Sequence, residues 1–131
     1  MTHDQIKFPA LKVTKLIDAM DKINSLDLRY LLIDEAQFYP DLYEFVRDIS
    51  HRKNLNIIVC GLDGDFNQKP FGQILQIIPL ADRVHKFNAL CKLCGDGITE
   101  APFTKKINHD NENVIDVGGE DKYISVCRKH L

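Results

Sequence analysis

Two short spacings in the C-terminal third constrain this chain most: Cys91-Lys92-Leu93-Cys94 and, after an intervening stretch, Cys127-Arg128-Lys129-His130. A two-residue gap lets both side chains of each pair approach one ion from a tight turn. Three thiolates and one imidazole then complete a closed tetrahedral set, the geometry of structural zinc. Such a set has no open position for a catalytic water, so the metal would hold structure rather than perform chemistry. Two unrelated turns, or a redox pair at Cys91 and Cys94, are the alternatives, and a redox pair leaves the second spaced pair unexplained. The surroundings agree with a ribbon: beyond about residue 88 the chain turns to cysteines, glycines and polar loop residues. The division expected is an α/β unit over residues 1–88 and a zinc-binding unit over 89–131.

Before that point, short apolar runs alternate with helical patterns. Ala10–Val13 reads as a short strand, with Thr14 placed to cap a helix whose Leu16, Ile17, Met20 and Ile23 share one face. Tyr30–Ile33 is an apolar run that stops at Asp34-Glu35. Pro40-Asp41 opens a second helix, followed by Leu42, Phe45, Val46 and Ile49 at i, i+3, i+4, i+7. Asn56–Cys60 is a continuous run rich in β-branched residues that predicts a strand buried on both faces, with Cys60 a small core residue. Ile74, Leu75, Ile77 and Ile78 predict another amphipathic helix ending near Pro79. Strands alternating with helices point to a parallel α/β sheet.

Ligands of open α/β sheets bind beyond the C-terminal ends of the strands, and Leu31-Leu32-Ile33-Asp34-Glu35 delivers two acids there. An aspartate in that position can hold Mg²⁺, and a glutamate can orient or deprotonate a nucleophile. The plainer alternative is a pair of solvated acids leaving a strand. Gly61-Leu62-Asp63-Gly64-Asp65-Phe66, with Lys69-Pro70-Phe71-Gly72, opens at the same edge, although loops are commonly built of these residues. Val117-Gly118-Gly119-Glu120-Asp121-Lys122-Tyr123 permits close backbone approach, and by spacing alone reads as a hairpin turn. His3, His51, His85 and His109 have no spaced ligand partners.

Composition excludes several classes. The formal net charge of −2 gives no broad basic face, which argues against nucleic acid as a partner. No apolar run approaches the roughly 18 residues of a membrane span, and the first residues lack the regions of a signal peptide. The expected setting is cytoplasmic and reducing, without membrane association.

Taken in order, these segments resemble the type II thymidine kinase family. The resemblance rests on Asp34-Glu35-Ala36-Gln37-Phe38, on Leu62 to Phe66 with Lys69 to Gly72, and on Thr104-Lys105. Val117 to Tyr123, Cys127-Arg128-Lys129-His130 and the short Thr2-His3-Asp4 complete the series. It implies a P-loop-type, RecA-like parallel sheet followed by a zinc ribbon carrying a lasso-like loop. It also implies transfer of the ATP γ-phosphate to the 5′-hydroxyl of thymidine, giving dTMP. Glu35 would be the general base and Asp34 would help hold Mg²⁺, with Ala36 and Gln37 on the ATP side. Phe38, Leu62 and Phe66 would pack around the thymine. Thr104, Tyr123 and the loop of Val114, Ile115, Asp116, Val117 and Gly118 would close over it. Zinc on Cys91, Cys94, Cys127 and His130 would anchor the ends of that loop. A homotetramer and feedback by dTTP are further implications. Asp116 stands where the family usually has an apolar residue. The family's Gly-x-x-x-x-Gly-Lys-Ser/Thr loop occurs nowhere in these 131 residues. The reading is therefore of a chain lacking that loop and its N-terminal strand, with a catalytically inactive nucleoside-binding remnant as the alternative.

Overall fold

The computed structural model describes residues 9–107 and 122–131. It is a mixed α/β molecule. Strands β1 (Tyr30–Ile33) and β2 (Asn56–Val59) pair in parallel with Ile33 beside Val59. The crossover between them carries helix α2 (Leu42–Ile49), which follows the short helix α1 (Met20–Asn24) in the chain. The i, i+3, i+4, i+7 pattern is realised as expected: Leu42, Phe45, Val46 and Ile49 are all buried. They form one core with Leu16, Ala19, Ile23, Ile33, Ala36 and Ile77.

The start of the chain differs from its sequence pattern. Residues 10–13 form no strand, and the first helical turn is a 3₁₀ segment, Leu16–Ala19, that leads into α1. Thr14 does not cap it. The Asp41 carboxylate, from the turn before α2, accepts the backbone N–H of Leu16 at 3.1 Å and of Ile17 at 2.9 Å. A distant acid thus satisfies the orphan donors that a local cap was expected to meet. The Ile74–Leu80 segment is also a 3₁₀ helix, with Pro79 inside it. Of its apolar residues only Ile77 is buried. Gln73, just before it, accepts the Tyr43 N–H at 2.8 Å and ties this segment to the start of α2.

The β1–β2 sheet is covered on one face only. Leu31, Ile33, Ile57 and Val59 pack on the core, whereas Tyr30, Leu32 and Ile58 are 61%, 69% and 46% exposed. The expectation that Asn56–Cys60 is buried on both faces does not hold, and Cys60 is exposed rather than a core residue. The physical reason is that all the helical packing among the described residues falls on one side of these two strands.

The C-terminal part is built from two antiparallel pairs, β3 (Ala89–Leu90) with β4 (Glu100–Ala101) and β5 (Phe103–Lys106) with β6 (Tyr123–Val126). Its buried residues are few: Cys91, Ala101, Val126 and Cys127. Among the described residues no helix is long and apolar enough to cross a membrane.

Candidate active site and metal centre

Because β1 and β2 run parallel and in register, both strands end at one edge. Cys60 donates its N–H to the Ile33 carbonyl at 2.9 Å, and Ala36 donates to the Cys60 carbonyl at 2.9 Å. To turn the chain between these two bonds, Glu35 takes φ 51° and ψ 41°. That left-handed conformation costs a residue with a side chain about 1 kcal/mol, and it persists where surrounding bonds determine it. Asp34 accepts the Glu35 N–H at 3.0 Å. Both acids are exposed beyond the strand end, where the sequence pattern expected them.

Gln37 joins this acid turn to the loop after β2. Its side chain is buried, with Oε1 accepting the Leu62 N–H at 3.0 Å and Nε2 donating to Glu35 Oε2 at 2.6 Å. Two glycines make room for it. A Cβ on Gly61 would lie 2.5 Å from Gln37 Oε1, and one on Gly72 would lie 2.1 Å from the Gln37 carbonyl oxygen. Gly72 also has φ +58°, so an added side chain meets both strain and a backbone clash. Gly72→Ala is expected to destabilise the protein by at least about 2 kcal/mol. A thermal melt lowered by less than a degree would show that this contact is easily relieved.

Ala36 is fully buried in the core, so only its backbone faces outward chemistry. The loop from Asp63 to Phe71 is organised by Asp65. Its buried carboxylate accepts the N–H of Asn67 at 2.8 Å and of Lys69 at 2.9 Å. An Asp63–Lys86 ion pair and a bridge between Gly64 and Pro70 close it further. Phe38 packs edge-to-face on Phe71, ring centres 5.4 Å apart. Phe66 lies 5.9 Å from the Tyr123 ring and beneath the Lys106 ammonium at 5.4 Å. The aromatic loop of the α/β part and strands β5 and β6 therefore meet at Phe66. The Tyr123 hydroxyl is buried and has no hydrogen-bond partner among the described residues. Thr104, on β5, sits opposite Ser125 of β6. Val114, Ile115, Asp116, Val117 and Gly118 lie outside the described residues, as do Thr2-His3-Asp4.

The four spaced ligands converge. Cys91, Cys94, Cys127 and His130 present donor atoms all within 4.8 Å of one another. Cys94 and Cys127 sulfurs are 3.8 Å apart, and His130 Nδ1 lies 3.5, 3.6 and 3.4 Å from the sulfurs of Cys91, Cys94 and Cys127. A tetrahedral zinc with Zn–S about 2.3 Å and Zn–N about 2.0 Å has S–S edges of about 3.8 Å and S–N edges of about 3.5 Å. The donor set fits that ion, and Cys91, Cys94, Cys127 and the Nδ1 of His130 are the groups that would hold it.

Burial pushes the Cys91 thiol up. Hydrogen bonds from the backbone of Cys127 and Cys94, from His130 and from the backbone of Leu93 outweigh it and leave the group at about 6. Cys94 is pushed up to about 11 by burial and by the neighbouring sulfurs of Cys91 and Cys127, against an opposing bond from Thr99. Crowded thiols of this kind lose their protons together only to a cation.

Beside them, Asp96 caps the turn after Cys94 by accepting the N–H of Ile98 and both the N–H and hydroxyl of Thr99. These bonds, the Thr99 hydroxyl first, hold its carboxyl down at about 2. Lys92 donates its N–H to Ser125, and the Ser125 hydroxyl donates to Leu90, which locks the first cysteine turn onto β6. Lys105 reaches the His130 carbonyl at 2.8 Å.

Two contributors escaped the sequence reading. Asp65 carries a readable signal, an aspartate two residues before Asn67 in a loop, which favours a side-chain turn. Nothing in the local pattern foretells that Asp41 would cap a segment 24 residues upstream.

The sequence profile of the thymidine kinase family matches residues 1–131. The thymidine kinase of vaccinia virus (strain Ankara) is 43% identical over 128 residues, spanning 98% of this chain and 68% of that protein. Thymidine kinase of variola virus is 42% identical over 128 residues, with the same coverage of 98% and 68%. Thymidine kinase a of Arabidopsis thaliana is 42% identical over 135 residues, spanning 99% of this chain and 54% of that protein. A family match along the full chain, with relatives 42–43% identical across nearly all of it, means that this chain belongs to the thymidine kinase family.

Proposed function

We propose that the chain carries the nucleoside-activating part of an ATP-dependent thymidine kinase, which transfers the γ-phosphate to the 5′-hydroxyl of thymidine and yields dTMP for DNA precursor salvage. The observation that supports this best is the meeting of Glu35 and Leu62 at one strand edge, bridged by a buried amide. Glu35 is the base: its exposed carboxylate takes the hydroxyl proton as that oxygen attacks phosphorus. Asp34 would hold the Mg²⁺ that accompanies ATP and neutralises phosphate charge. Ala36 and Gln37 form the turn on the ATP side. Phe38, Leu62 and Phe66 supply the apolar wall for thymine. Thr104 and Tyr123, with Val114 to Gly118, close over the base, and the Tyr123 hydroxyl, without a partner among the described residues, offers a bond to a nucleoside oxygen.

Residues 1–88 then act as the nucleotide-binding domain and 89–131 as the lasso domain, tied down by structural zinc. In the RecA-like reading, the uncovered apolar face of Tyr30, Leu32 and Ile58 is one that further packing covers, because parallel sheets are buried on both faces. A cytoplasmic homotetramer inhibited by dTTP at the nucleoside site completes the reading.

One observation favours a second reading: no Gly-Lys-Ser/Thr occurs in the 131 residues, so the backbone cradle for the phosphates is not among them. A nucleoside-binding protein without transferase activity is the alternative. The deciding experiment measures thymidine binding by calorimetry and dTMP formation from ATP and Mg²⁺. Both are run on this chain and on the chain extended with a family phosphate loop. Thymidine-dependent product from the extended chain is expected. Binding without product from either form establishes the alternative, and absence of both removes the nucleoside site.

A further inference from the structure

Gln37 does not need the nucleotide to satisfy its side chain. It is 4% exposed, and both ends of its amide are already engaged. The Leu62 backbone N–H can only donate and the Glu35 carboxylate can only accept, so the two partners fix which end of the amide is oxygen and which is nitrogen. Gly61 lies against the end of this side chain, where a Cβ would come within 2.5 Å of Oε1, and Gly72 lies against the Gln37 main chain, so both the backbone and the amide of Gln37 are closely enclosed. The residue it holds is itself strained: Glu35 sits in the left-handed region, and its carboxylate is otherwise exposed.

We infer that Gln37 is a positioning residue that fixes the Glu35 carboxylate relative to the Leu62 loop, setting the base at a defined distance from the nucleoside-binding wall. This deepens the proposed kinase reading and rests on it. The amide is suited to the task. As a donor it fixes the direction of one carboxylate oxygen, and as an acceptor it pins a loop through that loop's backbone. A residue one shell back can thereby control reaction geometry without touching the substrate.

The arm to Glu35 can be cut alone, or both arms together. Gln37→Glu keeps an acceptor for Leu62 but replaces the donor to Glu35 with a second acid. It should lower kcat by about tenfold or more. Thymidine affinity should change by less than about threefold, the scatter of a neutral change. Gln37→Leu cuts both arms and should lose turnover and thymidine affinity together. Equal falls in kcat and affinity in Gln37→Glu, with a lowered melting temperature, would mean that Gln37 is only a packing residue and would overturn the inference.

If Gln37→Glu does not fold, side-chain amide NMR of the native chain decides. The Gln37 NH₂ resonance should sit in a hydrogen-bonded position and move upfield in Glu35→Ala. An unmoved resonance refutes the contact. This second arm uses no turnover, so a failure of the kinase reading, seen as no dTMP from the unsubstituted protein, is told apart from a failure of the positioning role.

Discussion

Glu35→Gln is expected to reduce thymidine phosphorylation by about 10²- to 10⁴-fold, the usual contribution of a positioned general base. The substitution isolates the proton-accepting role. Glutamine has the same shape, places the same demand on the left-handed backbone, and keeps an oxygen that can accept from Gln37 Nε2. Thymidine affinity and melting temperature should therefore stay close to those of the unsubstituted protein, and the loss should appear in kcat. Phosphoryl transfer depends heavily on positioning and charge, so a residual rate above solution is also expected. Undiminished kcat, measured by dTMP formation at saturating ATP and Mg²⁺, would remove Glu35 as the base and leave Asp34 as the nearest exposed acid on the same turn.

Stripping the metal, or replacing Cys127 by alanine, should undo the C-terminal part while sparing the rest. The buried core there consists of Cys91, Ala101, Val126 and Cys127, too little apolar area to hold two-stranded hairpins in water. A closed Cys₃His zinc site supplies on the order of 10 kcal/mol in small domains. The α/β core of Leu42, Phe45, Ile49 and their neighbours shares no residue with this cluster.

Metal analysis should therefore return one zinc per chain. After chelation, amide exchange should accelerate across Phe103–Lys106 and Tyr123–Val126 and change little across Leu42–Ile49. Because Tyr123 begins β6 and packs against Phe66, thymidine affinity should fall on the order of 100-fold as that aromatic contact and hydroxyl lose their place. Full protection of β5 and β6 without metal would show that the cluster is incidental to the fold.

Much of this was legible in the sequence because the signals are local. A two-residue gap between ligands fixes a turn wherever the chain places it, so Cys91, Cys94, Cys127 and His130 could be grouped before any fold was known. The i, i+3, i+4, i+7 pattern of Leu42 to Ile49 reports one buried face, and four apolar residues ending in Asp34-Glu35 report a strand that delivers acids to an edge. These are properties of a few consecutive residues, and burial realised them without rearrangement.

Tertiary structure decided what depends on residues far apart. Asp41 does stand at the start of its own helix, as read, but its carboxylate caps the turn at Leu16 and Ile17, because a carboxylate serves whichever unpaired N–H groups packing brings to it. Cys60 and Ile58 carry the composition of a doubly buried strand yet lie exposed, since burial of a strand's second face depends on what packs there and not on the strand. Gln37, one polar residue in a short turn, became the buried link between Glu35 and Leu62 only because β1 and β2 lie side by side with their ends together. Sequence spacing encodes which side chains share a face; the pairing of strands distant in the chain decides which of those faces meet.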